Sequence, residues 1–321
     1  MDEVPEINSG SKNMRSARRR ALIEKKKRSG KVTGLFYKVI LPILLILGIF
    51  TFYKLSTKYW NGTDKFILAN RLENGDAAVN VLDPKLDEFT SLIIPGDTQV
   101  DVARNYGEFR IKSVWQLGVN EKLGGSLLAQ TVTQNFLFPV TLWSDSDAAS
   151  LFDGNTLGIL RFMFFPKSTN IGFGDRVSAG IFAMQTQSSS KNLLDIGKSQ
   201  FLLKQKLNDG LPGYILNGVM SPRLTAYFSD NSLANINLRV AIGDGTGVPG
   251  VAEAVGQIIE VMGGKIVSID KKDGNNTDCL VFGSDGEAVK KIAGLFNCKV
   301  TKDTGNFDTE IDLGSAFAKR F

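Results

Sequence analysis

Histidine is absent from all 321 residues, and cysteine occurs only twice, as Cys279 and Cys298. Without histidine there is no imidazole general base, no His-dependent triad and none of the commonest zinc ligand. Two thiolates cannot fill a four-ligand zinc site. Any catalytic chemistry must rest on carboxylates, on Lys and Arg, and on a bound metal. Positive charge is also scarcer in most of the chain than the net charge of +5 implies. Residues 1–60 carry 13 Lys/Arg against four Asp/Glu, and the remainder carries 25 against 29. The larger part is therefore mildly acidic, so the high pI does not point to nucleic acid. With 43% hydrophobic and 22% charged residues, the composition is that of a globular protein.

One long apolar run is present. Residues 39–53 read VILPILLILGIFTFY without a charge. Extended back to Gly34, the run reaches about 20 residues, enough for a hydrocarbon core, and Lys38 near its end can snorkel to headgroups. Pro42 and Gly48 are tolerated in membrane helices. Phe36, Tyr37, Tyr53, Tyr59 and Trp60 flank the run as interfacial aromatics do. Ten basic residues precede Gly34, which predicts a cytoplasmic N-terminus. No small-residue cleavage site follows, so the segment reads as a retained anchor rather than a signal peptide. The expectation is a basic cytoplasmic tail over 1–33, a transmembrane helix over 34–54, and an extracytoplasmic body in two domains, 55–234 and 235–321.

In the first domain, 77–82 (AAVNVL) and 88–94 (EFTSLII) read as strands joined by an Asp-Pro turn. Residues 123–136 carry Leu127, Leu128, Val132 and Phe136 at helical spacing. Residues 144–199 give no clear periodicity. The second domain reads as β-α-β-β-α-β: strands at 238–242, 265–269, 279–282 and 299–301, with one more over 309–313. A helix over 249–262 opens with Pro249 at its first position. A second opens on Ser284-Asp285-Gly286-Glu287, a capping-box pattern. The fold class expected is α+β, with a mixed sheet in the first domain.

Gly245-Thr246-Gly247-Val248-Pro249-Gly250 matches a dinucleotide-binding fingerprint, with Asp270 at the ribose-binding distance. Pro249 removes an N–H that a pyrophosphate would use, and the domain is too short for two mononucleotide-binding halves. The pattern is better read as a strand–helix turn whose glycines permit positive φ.

NLRVAIGDGTGVPGVAEAVGQIIEVMGGKIVSI, residues 237–269, resembles the C-terminal domain of LytR-family envelope proteins. GDAAVNVLDPKLDEFTSLIIPGDTQV, residues 75–100, with FRIKSVWQLG over 109–118, resembles the start of a LytR-CpsA-Psr domain. The resemblance covers about 68–140. It implies an outward-facing, membrane-anchored protein that binds a polyprenyl pyrophosphate lipid, with transfer of glycopolymers to peptidoglycan using a divalent metal, Mg or Mn. Asp76 and Asp97 match the family's aspartates and become the phosphate-binding and metal candidates, with Lys112 near the family's next basic position. Gly96 stands where the family carries its pyrophosphate-binding arginine. An arginine offers bidentate donors and glycine offers none. The later arginine cluster has no counterpart among Arg176, Lys191, Lys198, Lys204 and Lys206.

Three functional expectations follow. The first is non-catalytic binding or organisation of cell-wall components, with the bilayer and a glycopolymer or polyprenyl lipid as partners. The second is an active glycopolymer phosphotransferase with Asp76, Asp97 and a metal. The third is a protein–protein adaptor. Asp76 and Asp97 also suit turn and cap chemistry without any ligand. Arg104, Arg110 and Lys112 form either a basic patch or a solvated face, and Phe162, Phe164 and Phe165 either meet a lipid or fill a core. Cys279 opens one strand and Cys298 precedes another. If those strands are parallel neighbours, the two cysteines lie within disulfide reach, and an oxidising compartment favours the bond.

Overall fold

The computed structural model describes residues 19–20, 36–56, 60–218, 220–274, 276–303 and 305–321. Most of the basic tail, and residues 34–35 of the expected span, lie outside the described residues. The chain divides into two units, Met1–Ser56 and Thr57–Phe321.

In the first unit a π-helical turn, Phe36–Ile40, leads into α1 (Leu41–Ser56). Pro42 has no N–H to bond the Lys38 carbonyl, and the turn before it is wound wider than an α-helix. The apolar side chains of Val39, Leu44, Ile46 and Phe52 are exposed. With 16 residues, α1 is about 24 Å long at 1.5 Å per residue. Among the described residues, no helix is long and apolar enough to cross a membrane.

The second unit holds two mixed sheets. The first part of the chain contributes β1 (Phe66–Arg71), β2 (Ala77–Asp83), β3 (Glu88–Ile94) and the short hairpin β4 (Gln99–Val102) and β5 (Gly107–Arg110). Helices α2 (Ile111–Asn120) and α3 (Ser126–Phe136) follow, then β6 (Leu142–Ser144). The stretch that gave no periodicity forms α4 (Thr156–Phe164) and α5 (Phe173–Gln185). Next come β7 (Lys191–Asp195) and the hairpin β8 (Leu202–Lys206) and β9 (Pro212–Leu216). The first sheet has the order β6-β1-β2-β3-β7. Its three central strands form an antiparallel meander, and both outer pairs are parallel.

Every residue of β2 is buried, because both faces of the sheet are covered. Val79, Val81 and Leu92 pack with Val114, Trp115, Leu128 and Val132 of α2 and α3. Leu68, Leu82 and Phe89 pack with Ile159, Phe162 and Ala179 of α4 and α5. Each fully buried large apolar side chain contributes about 2 kcal/mol of transfer free energy. Covering both faces also explains why β2 reads as a nearly continuous apolar run rather than an alternation. Asn80 interrupts that run. It is buried, and its amide donates to Asn70 Oδ1 on β1 at 2.6 Å.

The second sheet is built from β10 (Arg239–Gly245), β11 (Lys265–Lys271), β12 (Cys279–Phe282), β13 (Lys299–Val300) and β14 (Thr309–Gly314), in the order β11-β10-β14-β12-β13. Helices α6 (Val251–Val261) and α7 (Gly286–Phe296) pack onto it through Val255, Ile258, Ile259, Val289 and Ile292. Two details differ from the sequence expectation. Pro249 lies before α6, whose N-cap is Gly250 at φ 86°, a left-handed conformation that glycine adopts without strain. The cap of α7 is Asp285 rather than Ser284, its carboxylate accepting from the Glu287 and Ala288 N–H groups at 3.0 Å each. A carboxylate at that place both accepts hydrogen bonds and meets the positive end of the helix dipole. Strands β12 and β13 are parallel neighbours, and Cys279 and Cys298 at their starts are joined in a disulfide with Cα atoms 5.0 Å apart.

The two sheets meet at Lys291 of α7. Its ammonium bonds Asp64 Oδ2 at 2.6 Å, Asp230 Oδ2 at 3.0 Å and the Ser232 hydroxyl at 2.7 Å. A cavity of about 330 Å3 opens beside it, lined by Phe66, Leu142, Phe228, Met262, Lys290 and Leu295 among others.

Candidate phosphate-binding site

Strand β3 ends at Ile94, and the Pro95-Gly96-Asp97-Thr98 turn that follows is fixed by backbone contacts. The Thr98 N–H closes it on the Pro95 carbonyl at 2.9 Å, and the Ile111 N–H donates to the Thr98 carbonyl at 2.9 Å. The Tyr214 N–H of β9 donates to the Asp97 carbonyl at 3.1 Å. Gly96 sits at the centre. Its N–H donates to Asp76 Oδ1 at 2.7 Å, and its carbonyl accepts from the Lys112 N–H at 3.0 Å. A Cβ on residue 96 would lie 2.6 Å from the Gly75 carbonyl oxygen and 2.9 Å from its carbon. The glycine is therefore required by the close approach of two backbones. No side chain, arginine included, enters at position 96 unless the 72–76 turn moves.

Asp76 and Asp97 have separate work. The Asp76 carboxylate joins the turn after β1 to the turn after β3: Oδ1 holds Gly96, and Oδ2 accepts from the Asn74 amide at 2.7 Å. Asp97 Oδ1 accepts from Lys112 Nζ at 2.6 Å and from Arg110 Nη1 at 2.8 Å. Arg110 also grips Asp209, through Nε to Oδ2 and Nη2 to Oδ1, both at 2.8 Å, and donates to the Pro212 carbonyl at 3.0 Å. This staples the β8–β9 hairpin to the turn. The Lys112 hydrogen bond holds the Asp97 carboxyl below the usual carboxylate range; partial burial opposes it and Arg110 reinforces it. The Arg110 fork holds Asp209 down to about 2.

The donor set does not fit a divalent cation. Both Asp76 oxygens are occupied by an N–H and an amide, and the engaged oxygen of Asp97 faces two cations. Among the described residues, no group of three or more His, Cys, Asp or Glu side chains is placed to hold a metal. Mg and Mn remain sequence expectations with no donor cluster behind them.

The structure does assemble a small cleft of about 120 Å3 at the end of β1, lined by two cations, Arg71 and Lys112, and two carboxylates, Glu73 and Asp76, with Trp115 and Gln116 among others. The Arg71 guanidinium lies over the Trp115 ring, 5.4 Å from its centroid, an arrangement that orients its fork without using up its N–H donors. Lys112 faces the same cleft. Its pair with Asp97 is half exposed on both sides, at 48%, and such a pair contributes about 0–1 kcal/mol. A phosphate, with more charge and more acceptors than one carboxylate, competes for that ammonium.

Sequence reasoning reached Asp76, Asp97 and Lys112 and missed Arg71 and Trp115. A lone arginine ending a strand carries no spacing signal. Its place follows from Trp115, which is 44 positions later and arrives only when α2 packs on the sheet. The suggested Arg104–Arg110–Lys112 patch is not formed as one: Arg104 Nε turns to Gln130 Oε1 at 2.9 Å. Of the later basic residues, Arg176 and Lys191 are structural, and Lys198, Lys204 and Lys206 are exposed. Arg176 donates to the Ile171 and Met163 carbonyls, and Lys191 to the Leu151 and Phe152 carbonyls. The phenylalanines divide, with Phe162 buried and Phe164 and Phe165 exposed.

Two mixed sheets with helices, an α+β arrangement, define the structural class. Solved structures that this chain resembles include LytR-CPS2A-psr family proteins. They include the LytR-CPS2A-psr family protein YwtF (TagT) with bound octaprenyl pyrophosphate lipid, at 13% identity and TM-score 0.35, covering 50% of this chain and 87% of that one. TagV of B. subtilis matches at 12% identity and TM-score 0.35, over 49% and 92%. Lin1025 from Listeria innocua matches at 11% and 0.34, over 48% and 92%. No protein-family model and no curated protein matches the chain.

Proposed function

We propose that this chain is a membrane-anchored, extracytoplasmic cell-envelope protein that binds a polyprenyl-pyrophosphate-linked glycopolymer without transferring it. The carrying observation is the cleft that Arg71 and Lys112 both line, with Glu73 and Asp76. A planar fork and a mobile ammonium lining one cleft suit a pyrophosphate. Transfer asks for more. Departure of a pyrophosphate builds charge that a metal or a cluster of arginines must meet. Here position 96 is closed to any side chain and Arg110 is committed to Asp97 and Asp209. The anchor rests on the uncharged run 39–53 and the basic residues before it. The outside location agrees with the Cys279–Cys298 disulfide, since such bonds persist in oxidising compartments.

Binding of a polyprenyl pyrophosphate to the full chain in lipid nanodiscs tests this reading. Arg71→Gln and Lys112→Gln should each weaken binding by about tenfold or more, the worth of one charge-assisted hydrogen bond. Absence of binding would refute the proposal. So would consumption of a glycopolymer-linked donor by the unmodified chain with magnesium or manganese, abolished in Asp76→Ala; that result would establish the transferase reading instead.

A further inference from the structure

The first sheet is covered on one face by α4 and α5, and the outer side of that helix pair is apolar and open. Leu157 is 78% exposed, Phe165 78%, Phe164 45% and Met184 45%, with Leu160 and Ile181 close behind. The helices lie against each other: a Cβ on Gly180 of α5 would touch Met163 and Ile159 of α4. On α4 the exposed residues 157, 160 and 164 recur at helical spacing, and on α5 exposed Ile181 and Met184 follow half-buried Val177 at the same spacing, so each helix presents one apolar stripe. One charge lies at this surface: Arg161 of α4 is exposed, four residues after Leu157 and three before Phe164. Arg176 is drawn in to the Met163 and Ile171 carbonyls, and Arg161 turns towards Asp147 at 3.5 Å. Soluble monomers rarely leave a contiguous apolar face of this kind.

The entry of the chain lies on the same helix pair. Trp60 is buried against α5: its backbone N–H donates to Asp175 Oδ1 at 3.2 Å, and its ring meets Phe182 edge-on, with centroids 6.0 Å apart. Only residues 57–59 separate Trp60 from Ser56, the last residue of α1. Four peptide steps span about 15 Å at full stretch.

We infer that the outer face of α4 and α5 rests on the surface of the bilayer that holds the chain's own anchor, with Phe164 and Phe165 seated at the headgroup boundary. This deepens the anchor reading and rests on it. Phe, Leu, Ile and Met are the side chains that enter that boundary, and exposed Lys167, two residues after Phe165, supplies a headgroup contact. The short tether removes most of the cost of association. A patch too small to recruit a soluble protein is enough to orient one already held at the membrane. The body would then have a fixed rather than a tumbling orientation above the lipid.

The test uses the full chain reconstituted in phosphatidylcholine/phosphatidylglycerol vesicles carrying brominated lipid. Phe165→Trp should lose tryptophan emission beyond the loss shown by the parent protein. Leu211→Trp, on the β8–β9 loop at the opposite sheet face, should show no added loss. If Phe165→Trp is not quenched while the chain resists carbonate extraction, the docked face is wrong and the anchor stands. If carbonate strips the chain from the vesicles, the anchor itself is wrong and the docking falls with it. If residue 165 is shielded without bromine quenching and cross-links to a second copy, the face is a self-association surface and the inference is overturned.

Discussion

At the scale of single residues, Gly96 decides what the turn after β3 can become. Its N–H and carbonyl tie Asp76 to the start of α2, and the Gly75 backbone occupies the space where a side chain would begin. Gly96→Ala should therefore cost about 1–3 kcal/mol, the usual penalty for forcing atoms into a packed site, and be read as a lowered urea midpoint. A neutral Gly96→Ala would show that the 72–76 turn yields easily. Reintroducing arginine at 96 would then be a fair route to activity. Sequence comparison alone gives this glycine the look of a lost function. The structure makes it a backbone contact.

Among the elements, the antiparallel meander was legible because local pattern and final environment agree. The 88–94 strand expected from its bounding turns is β3, Glu88–Ile94, and the strand expected over 77–82 extends one residue further in β2. The helices α4 and α5 were not legible. The buried face of α5 uses Gly174, Ala179, Gly180 and Ala183, small residues that carry little hydrophobic signal, and on α4 the buried Ile159, Phe162 and Met163 are interleaved with exposed Leu157, Leu160 and Phe164, which blurs the period. β1 was missed for a related reason, since Asn70 sits within it and pairs with Asn80 instead of with an apolar core. In the second sheet, the disulfide ties β12 to β13, which has only two residues. It closes a loop across 19 positions of sequence. Loops of that size are stabilised by about 3 kcal/mol through the unfolded chain. The Cys279→Ser, Cys298→Ser double variant should lose about that much in denaturant unfolding, and amide exchange at Lys299 and Val300 should accelerate. Unchanged stability would place the bond outside the cooperative core.

For the whole molecule, Lys291 is the joint to examine. Burial alone would lower its ammonium, but the Asp64 and Asp230 hydrogen bonds raise it above the ordinary lysine range. Burial likewise favours protonation of Asp230, and Ser232 and Lys291 overcome that and hold it low. A raised lysine stabilises the fold below its unfolded value and ceases to as pH rises through its folded value. A depressed aspartate does so above its unfolded value and ceases to as pH falls through its folded value. The joint is therefore intact between about pH 4 and pH 10, the unfolded reference values, and weakens beyond either end. Lys291→Ala leaves two partly buried carboxylates facing each other and should cost about 2–4 kcal/mol, measured as a loss of thermal stability at neutral pH. A cost near zero would mean that water already screens the joint.

The sequence by itself determined the elements whose signal is local: the apolar run and its flanking charge, the meander's second and third strands, the strand–helix alternation of the second sheet, and the absence of histidine chemistry. These depend on periodicity, capping and composition, which neighbouring residues carry among themselves. Only the tertiary structure decided the rest. Arg71 meets Trp115, Asp97 is shared by Lys112 and Arg110, Arg110 reaches Asp209, and Lys291 gathers Asp64 across 227 positions of sequence and Asp230 across 61. Such contacts join residues that no local pattern relates, because charge pairing and close packing act through space and are set only when sheets and helices take their places.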